Sequence, residues 1–172
     1  LLPRAFTDEN HVQEIRGIYV PFWMFDGEAA GDARYEATRS HSYVSGDYEI
    51  TKTEHFDVYR AGTVAFEKVP VDASSKMPDN HMDSIEPYDY NALKAFSTAY
   101  LPGFLADKYD VTVEECRERA DQRCEGTLDA ALRGSVTSYD TCVRLTGSTN
   151  LTRGKVHYAL MPVWMLNTKW HG

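Results

Sequence analysis

The sequence predicts an α+β domain: an antiparallel sheet made from N- and C-terminal strands, with a central helical segment packed on one face. Three observations carry this. Strand-like apolar and aromatic runs occupy 18–71 and return over 141–168, and helical spacing takes over in 78–138. Pro21-Phe22-Trp23-Met24-Phe25-Asp26 is echoed by Pro162-Val163-Trp164-Met165-Leu166-Asn167, so the first and last strands read as neighbours in one sheet, with Trp23 and Trp164 expected to be buried and close in space.

Ile18 to Phe25 is a continuous apolar run bounded by Gly17 and Asp26-Gly27, which suits a strand covered on both faces. Ala33 to Val44 and Asp47 to Arg60 read as a hairpin turning at Ser45-Gly46, with Tyr48, Ile50, Phe56 and Val58 on one face at period two. Such a turn sets His55 opposite Glu36. Ala61-Gly62 reads as a strand break, and Thr63 to Val71 resumes. Pro78 to Ile85 and Asp89 to Tyr100 then read as short helices. Thr112-Val113-Glu114-Glu115 fits a capping box and opens the clearest helix. Val113, Cys116, Ala120, Cys124, Leu128, Ala131 and Val136 form its apolar stripe, and Gly134 marks its end or a kink. Thr141 to Leu145 and Val156 to Asn167 read as two strands around a turn at Gly147-Ser148-Thr149-Asn150. The 172 residues are expected to form a single domain excised from a larger protein, since the chain starts at Leu1-Leu2-Pro3 without a methionine.

Charge and cysteine usage narrow the function. With 26 acids against 18 bases the formal charge is −8, and no basic cluster stands apart from acids: Arg117, Arg119 and Arg123 are interleaved with Glu114, Glu115, Glu118 and Asp121. Nucleic-acid affinity rests largely on phosphate contacts by a basic face, so nucleic acid is not an expected partner. The same charge argues against direct contact with an anionic membrane. Three widely spaced cysteines, Cys116, Cys124 and Cys142, form neither a CxxC pair nor an even framework, which points to reduced thiols on the cytoplasmic side. Asn150-Leu151-Thr152 is formally a glycosylation acceptor, but the free-thiol pattern opposes a secreted reading. No apolar run approaches the ~18 residues that would span a bilayer.

No constellation assigns a reaction. Asp79, Asp83 and Glu86, with Asp89 beyond Pro87, would share a helical face; they read either as oxygen ligands for Ca²⁺ or Mg²⁺ or as a solvated acidic face. The histidines His11, His41, His55, His81, His157 and His171 never fall at metal-ligand spacing. Cys116 and Cys124 lie on the apolar stripe, where a thiol packs as a small hydrophobe. Ser74-Ser75-Lys76 does not reproduce the S-x-x-K spacing, and there is no G-x-S-x-G elbow. The absence of a Walker loop and of G-x-G-x-x-G excludes a nucleotide-driven motor in this segment.

Longer stretches carry a family resemblance: Ile15 to Trp23 (IRGIYVPFW), Gly62 to Asp72 (GTVAFEKVPVD), Ser75-Lys76-Met77, Ser84 to Tyr90 (SIEPYDY), Ala99 to Asp110 (AYLPGFLADKYD) and Tyr158 to Lys169 (YALMPVWMLNTK). Together they resemble the domain that follows the zinc ribbons in uncharacterised bacterial proteins labelled as transcription-factor-type zinc ribbon proteins or as primosomal replication-restart DNA helicases. The resemblance implies preceding Cys-rich ribbons and following membrane-anchoring segments. It brings no zinc ligand or cofactor to this window, where no Cys-x-x-Cys occurs, and the helicase label finds no nucleotide-binding motif. Two readings stand: a non-catalytic interaction module for a protein or small ligand, or a small hydrolase or metal-dependent enzyme assembled from dispersed residues such as Asp79, Asp83 and a histidine. Val156 to Asn167, an interior-type strand near the end of the sequence, further predicts self-association as a two-fold dimer.

Overall fold

A computed structural model describes residues 12–84 and 88–168. Three long strands dominate: β1 (Val12–Ser45), β2 (Tyr48–Asp72) and β4 (Thr141–Thr168), of 34, 25 and 28 residues, with a two-residue β3 (Leu105–Ala106). The helices are α1 (Asp79–Ser84) and α2 (Val113–Gly134), of 6 and 22 residues. The protein is therefore mostly β, and the expected α+β fold with an antiparallel sheet and a helical 78–138 segment is corrected in two respects. The sheet is mixed, since β3 runs parallel to β1 in the register Ile18↔Leu105 and Tyr19↔Ala106. The stretch expected to be helical from Asp89 to Tyr100 holds only single 3-10 turns at Tyr90–Ala92 and Thr98–Tyr100. Its large apolar residues Leu93, Phe96 and Tyr100 are exposed, so no buried face offsets the cost of nucleating a short helix.

β1 is the central strand, hydrogen-bonded to β2, to β3 and to β4. The hairpin turns at Gly46, whose φ of 64° suits the first position of a two-residue loop. Its strands are laced by Ser40–Thr53 and Ser42–Thr51 hydroxyl pairs at 3.0 and 2.8 Å. The chain divides into two compact units. The first takes in residues up to Met24, Pro70–Arg117 and those from Val156 onward; the second is Phe25–Val69 with Glu118–Lys155.

Expected breaks at Asp26-Gly27, Ala61-Gly62 and Gly147–Asn150 are absent; β1, β2 and β4 run through them. Glycine serves here for close approach, not for turning. A Cβ on Gly154 would lie 2.9 Å from the Asp26 carbonyl oxygen, and one on Gly27 would lie 3.0 Å from that of Thr152. A Cβ on Gly147 would collide with the Asp32 carbonyl. β1 and β4 thus pass too close for side chains at these positions. The real irregularity in β2 is Lys68, a non-glycine residue at φ 54°, whose amide donates to Asp26 Oδ1 at 2.9 Å.

Each unit has its own core. In the second unit, Ala29, Ala33, Tyr35 and Ala37 of β1 and Val58 of β2 pack against Leu128 and Leu132 of α2. Small residues on β1 let the helix approach, and Leu132, not the expected Ala131, continues its buried ridge at steps of four from Ala120, Cys124 and Leu128. The capping box forms as expected: the Thr112 amide and hydroxyl both donate to Glu115 Oε2 at 2.8 Å, which holds that carboxyl below its usual range. In the first unit, Val20, Phe22 and Met24 of β1 and Ala159 and Met161 of β4 pack with Met82 of α1. None of the three cysteines is in a disulfide; Cys116 and Cys124 are buried and Cys142 is half-buried. The Cys116 thiol donates to the Asp72 carbonyl at 3.3 Å.

Candidate functional site: an aromatic sheet face

Strand alternation explains why the first unit carries aromatic rings outside its core. Phe22 points into the core and Trp23 away from it; Val163 packs on the same core and Trp164 points away. The two halves of the Pro-Φ-Trp-Met echo therefore share one side-chain alternation. They differ in cover, since Met24 is fully buried whereas Met165 and Trp164 are exposed. The expectation that Trp164 is buried is thereby corrected: 65% of its surface is open.

The outward face gathers two aromatic clusters. In one, Trp23 lies 5.1 Å from Tyr109 and 5.0 Å from Tyr158, centroid to centroid, and Tyr109 and Tyr158 are 5.8 Å apart. The interplanar angles of 63°, 55° and 70° are the tilted and edge-on arrangements that ring quadrupoles favour. The Trp23 indole N–H donates to the Val111 carbonyl at 3.1 Å, which fixes the ring. Burial, then Tyr109 and Asp107, push the Tyr158 hydroxyl above the usual tyrosine range, so it stays neutral and a donor.

In the other cluster Phe104 bridges Tyr19 at 4.8 Å and Trp164 at 5.2 Å. The Tyr19 hydroxyl donates to the Tyr100 carbonyl at 3.0 Å. Gly17 makes room for this arrangement: a Cβ there would come within 2.6 Å of Phe104 Cε1. Tyr109, Tyr158 and Trp164, with Tyr100 and Leu105 beside them, are left exposed. The alternation in 158–164 is the sequence signal for the face; Phe104 and Tyr109, supplied by the connection around β3, carried none.

Polar groups of the first unit meet at a second place. The Ser75 amide and hydroxyl both donate to Asp110, at 2.7 and 2.6 Å, and Lys76 Nζ donates to Asp107 Oδ1 at 2.5 Å. Serine, lysine and aspartate together invite a nucleophile reading, but their protonation opposes it. The bond to Asp107 raises the Lys76 ammonium above its usual range, so it is no base. The two Ser75 bonds hold the Asp110 carboxyl down, making it a weak base, and they occupy the hydroxyl proton. The group clamps residues 74–76 to 107–110.

Asp79 and Asp83 both fall in α1, and Asp83 is exposed; Glu86 lies outside the described residues. Among the described residues, no group of three His, Cys, Asp or Glu side chains is placed to hold a metal ion. His55 meets Glu36 at 3.1 Å as the hairpin register implied, on an exposed part of the sheet. His41, His81 and His157 sit on β1, α1 and β4. No helix among the described residues is long and apolar enough to cross a membrane.

Comparison with known proteins adds one relative. The chain is 40% identical over 174 aligned residues to the "Uncharacterized protein YdjG" of Bacillus subtilis (strain 168). The alignment covers 97% of this chain and 49% of that protein, so the chain spans about half the length of the curated relative it matches. No family model matches the chain. No solved structure matches it.

Proposed function

We propose that this chain is a non-catalytic interaction module that binds a protein partner on the aromatic face of its first unit. The observation that carries the reading is the exposure of Trp164, Tyr158 and Tyr109 on one sheet face, with their rings braced by Trp23, Phe104 and Tyr19. Large rigid rings held in place contribute much contact area at little entropic cost, and tyrosine and tryptophan dominate binding hot spots. The Ser75–Asp110 and Lys76–Asp107 clamp supports the reading by anchoring the segment that delivers Tyr109. The test is a comparison of proteins retained by the immobilised wild-type chain and by Trp164→Ser and Tyr158→Ser, each with an unchanged melting temperature. A partner held by wild type and lost by both variants bears the proposal out. Equal retention by all three contradicts it.

The resemblance carried by the quoted motifs supports a wider placement. In this reading the parent protein lies on the cytoplasmic side, with zinc ribbons before this module and a membrane anchor after it. Zinc then belongs to the ribbons, and the module contacts neither nucleic acid nor lipid directly. The length of the B. subtilis relative, about twice the aligned region, leaves room for such parts. Metal analysis of that full-length protein checks the point: zinc in the whole and none in this segment is expected, and a zinc-free whole protein contradicts it.

A further inference from the structure

The exposed rings of the aromatic face differ from the rings that brace them in how their polar tips are used. The Trp23 N–H and the Tyr19 hydroxyl are bonded to the Val111 and Tyr100 carbonyls. The Tyr109 and Tyr158 hydroxyls and the Trp164 N–H have no hydrogen-bond partner among the described residues. These donors stand at the two ends of one row. Tyr158, Leu160, Pro162 and Trp164 of β4 alternate with Ala159, Met161 and Val163, which pack in the core, so the row shares the outward side. Leu160 is half-buried and Pro162 exposed, so the stretch between Tyr158 and Trp164 is apolar and open. Residues 17–24 of β1 and 158–168 of β4 carry no charge. A cation stands at the tyrosine end. Lys108 Nζ lies 5.8 Å from the Tyr109 ring centroid and meets no carboxylate among the described residues, while Asp107 is held by Lys76.

We infer that this face takes a proline-rich segment in the polyproline II conformation, lying along β4 from Tyr158 to Trp164 with an acidic residue toward Lys108. The inference rests on the reading of the face as a docking site. Donors covered by a partner must be bonded, since each one buried without an acceptor costs about 1–3 kcal/mol. An α-helix has spent its carbonyls on its own amides, and a β-strand directs them edgewise, in the plane of its sheet. A polyproline II helix has no internal hydrogen bonds, so its carbonyls stay open, and proline brings no N–H that a face of donors would leave unpaired. The lengths agree. Tyr158 and Trp164 are six positions apart on β4, about 20 Å at ~3.3 Å per residue. Two turns of polyproline II, six residues at ~3.1 Å each, cover about 19 Å, so two prolines on one side of that helix meet Tyr158 and Trp164 together. The uncharged row suits such rings, which dock on aromatic side chains with no charge to desolvate. Lys108 supplies the counterpart for one carboxylate at the tyrosine end.

Calorimetric titration of the 172-residue chain tests it, with an acetylated octaproline headed by one aspartate as the probe. A glycine–serine peptide of the same length and charge is the control. The octaproline probe should saturate the chain below about 1 mM, and the control should not. Trp164→Ser should weaken the probe about tenfold or more. Tyr158→Phe keeps the ring and removes the donor, and should weaken it about threefold. Lys108→Glu should weaken the probe and leave octaproline without the aspartate unaffected. Each variant is used only with the wild-type melting temperature. No saturation by the probe, equal binding of the control, or an affinity left unaltered in any of the three variants overturns the inference. So does saturable binding of cellohexaose in place of the probe, or a two-chain mass in light scattering that Trp164→Ser abolishes, which would make a second copy the occupant. A protein that wild type retains and Trp164→Ser loses should be released by excess probe. If the probe leaves it bound, the proline chemistry fails and the docking face stands; if no retained protein depends on Trp164, the docking face itself fails.

Discussion

Leu128→Ala tests the helix–sheet core of the second unit. Leu128 is 1% exposed, at the middle of the α2 ridge, in one core with Ala29, Ala33, Tyr35 and Ala37 of β1. Its Cδ2 would lie only 3.1 Å from a Cβ on Gly31, so the side chain fills the available space. Truncation removes about three buried carbons, worth about 2.4 kcal/mol at ~0.8 kcal/mol each. The helix is held on both sides of the gap by Cys124 and Leu132, so it cannot collapse fully, and a cavity term brings the expected loss to about 3–4 kcal/mol. Trp164→Ala provides the contrast: with 65% of its surface open, the expected cost is about 1 kcal/mol. Urea unfolding followed by far-ultraviolet circular dichroism measures both. A loss below about 1 kcal/mol for Leu128→Ala, or equal losses for the two variants, would refute the packing assigned here.

Thr112→Ala removes the hydroxyl side of the capping box and should destabilise by about 1 kcal/mol, read from the same urea curves. Asp110 and Glu115 are both held below their usual values, by bonds from Ser75 and Thr112 respectively, so their contribution is complete above the unfolded carboxyl range and is lost as pH falls toward the folded values. Acid titration of the melting temperature should therefore show a fall below the ordinary carboxylate range, made shallower by Ser75→Ala; an unaltered profile counts against the clamp. Native labelling with a thiol reagent should reach half-buried Cys142 before Cys116 and Cys124, the latter pushed up by burial, and mass spectrometry of the labelled peptides gives the order. At physiological salt the chain should show no micromolar affinity for single- or double-stranded DNA by fluorescence anisotropy, as its charge of −8 implies.

What the sequence made legible was local. The Thr112–Glu115 box, the helix it opens and the hairpin register linking His55 to Glu36 all depend on residues close along the chain or on one turn. Glycine was misread because it serves two purposes. Gly27 and Gly147 carry the composition of a turn, yet their role is set by a strand that approaches from more than a hundred residues away. The same distance hid the candidate site. Alternation put Trp23 and Trp164 on one face, but nothing near Trp164 in the chain says that Phe104 stands against it. The Asp107 and Asp110 clamp on residues 74–76 spans 31 to 35 residues, and no spacing rule reaches that far. Leu132 displaced Ala131 for a simpler reason: steps of four persist to the helix end, where steps of three and four were equally readable.

The central claim, that the aromatic face is where a partner docks, is tested most directly by site-specific photocrosslinking in cells. A photoreactive phenylalanine analogue replaces Trp164, Tyr158 or, as a control on an exposed part of the second unit, Tyr59, in the full-length protein. A discrete adduct with the same partner is expected from positions 164 and 158 and none from 59. No adduct from the two aromatic-face positions, or equal adducts from all three, would contradict it.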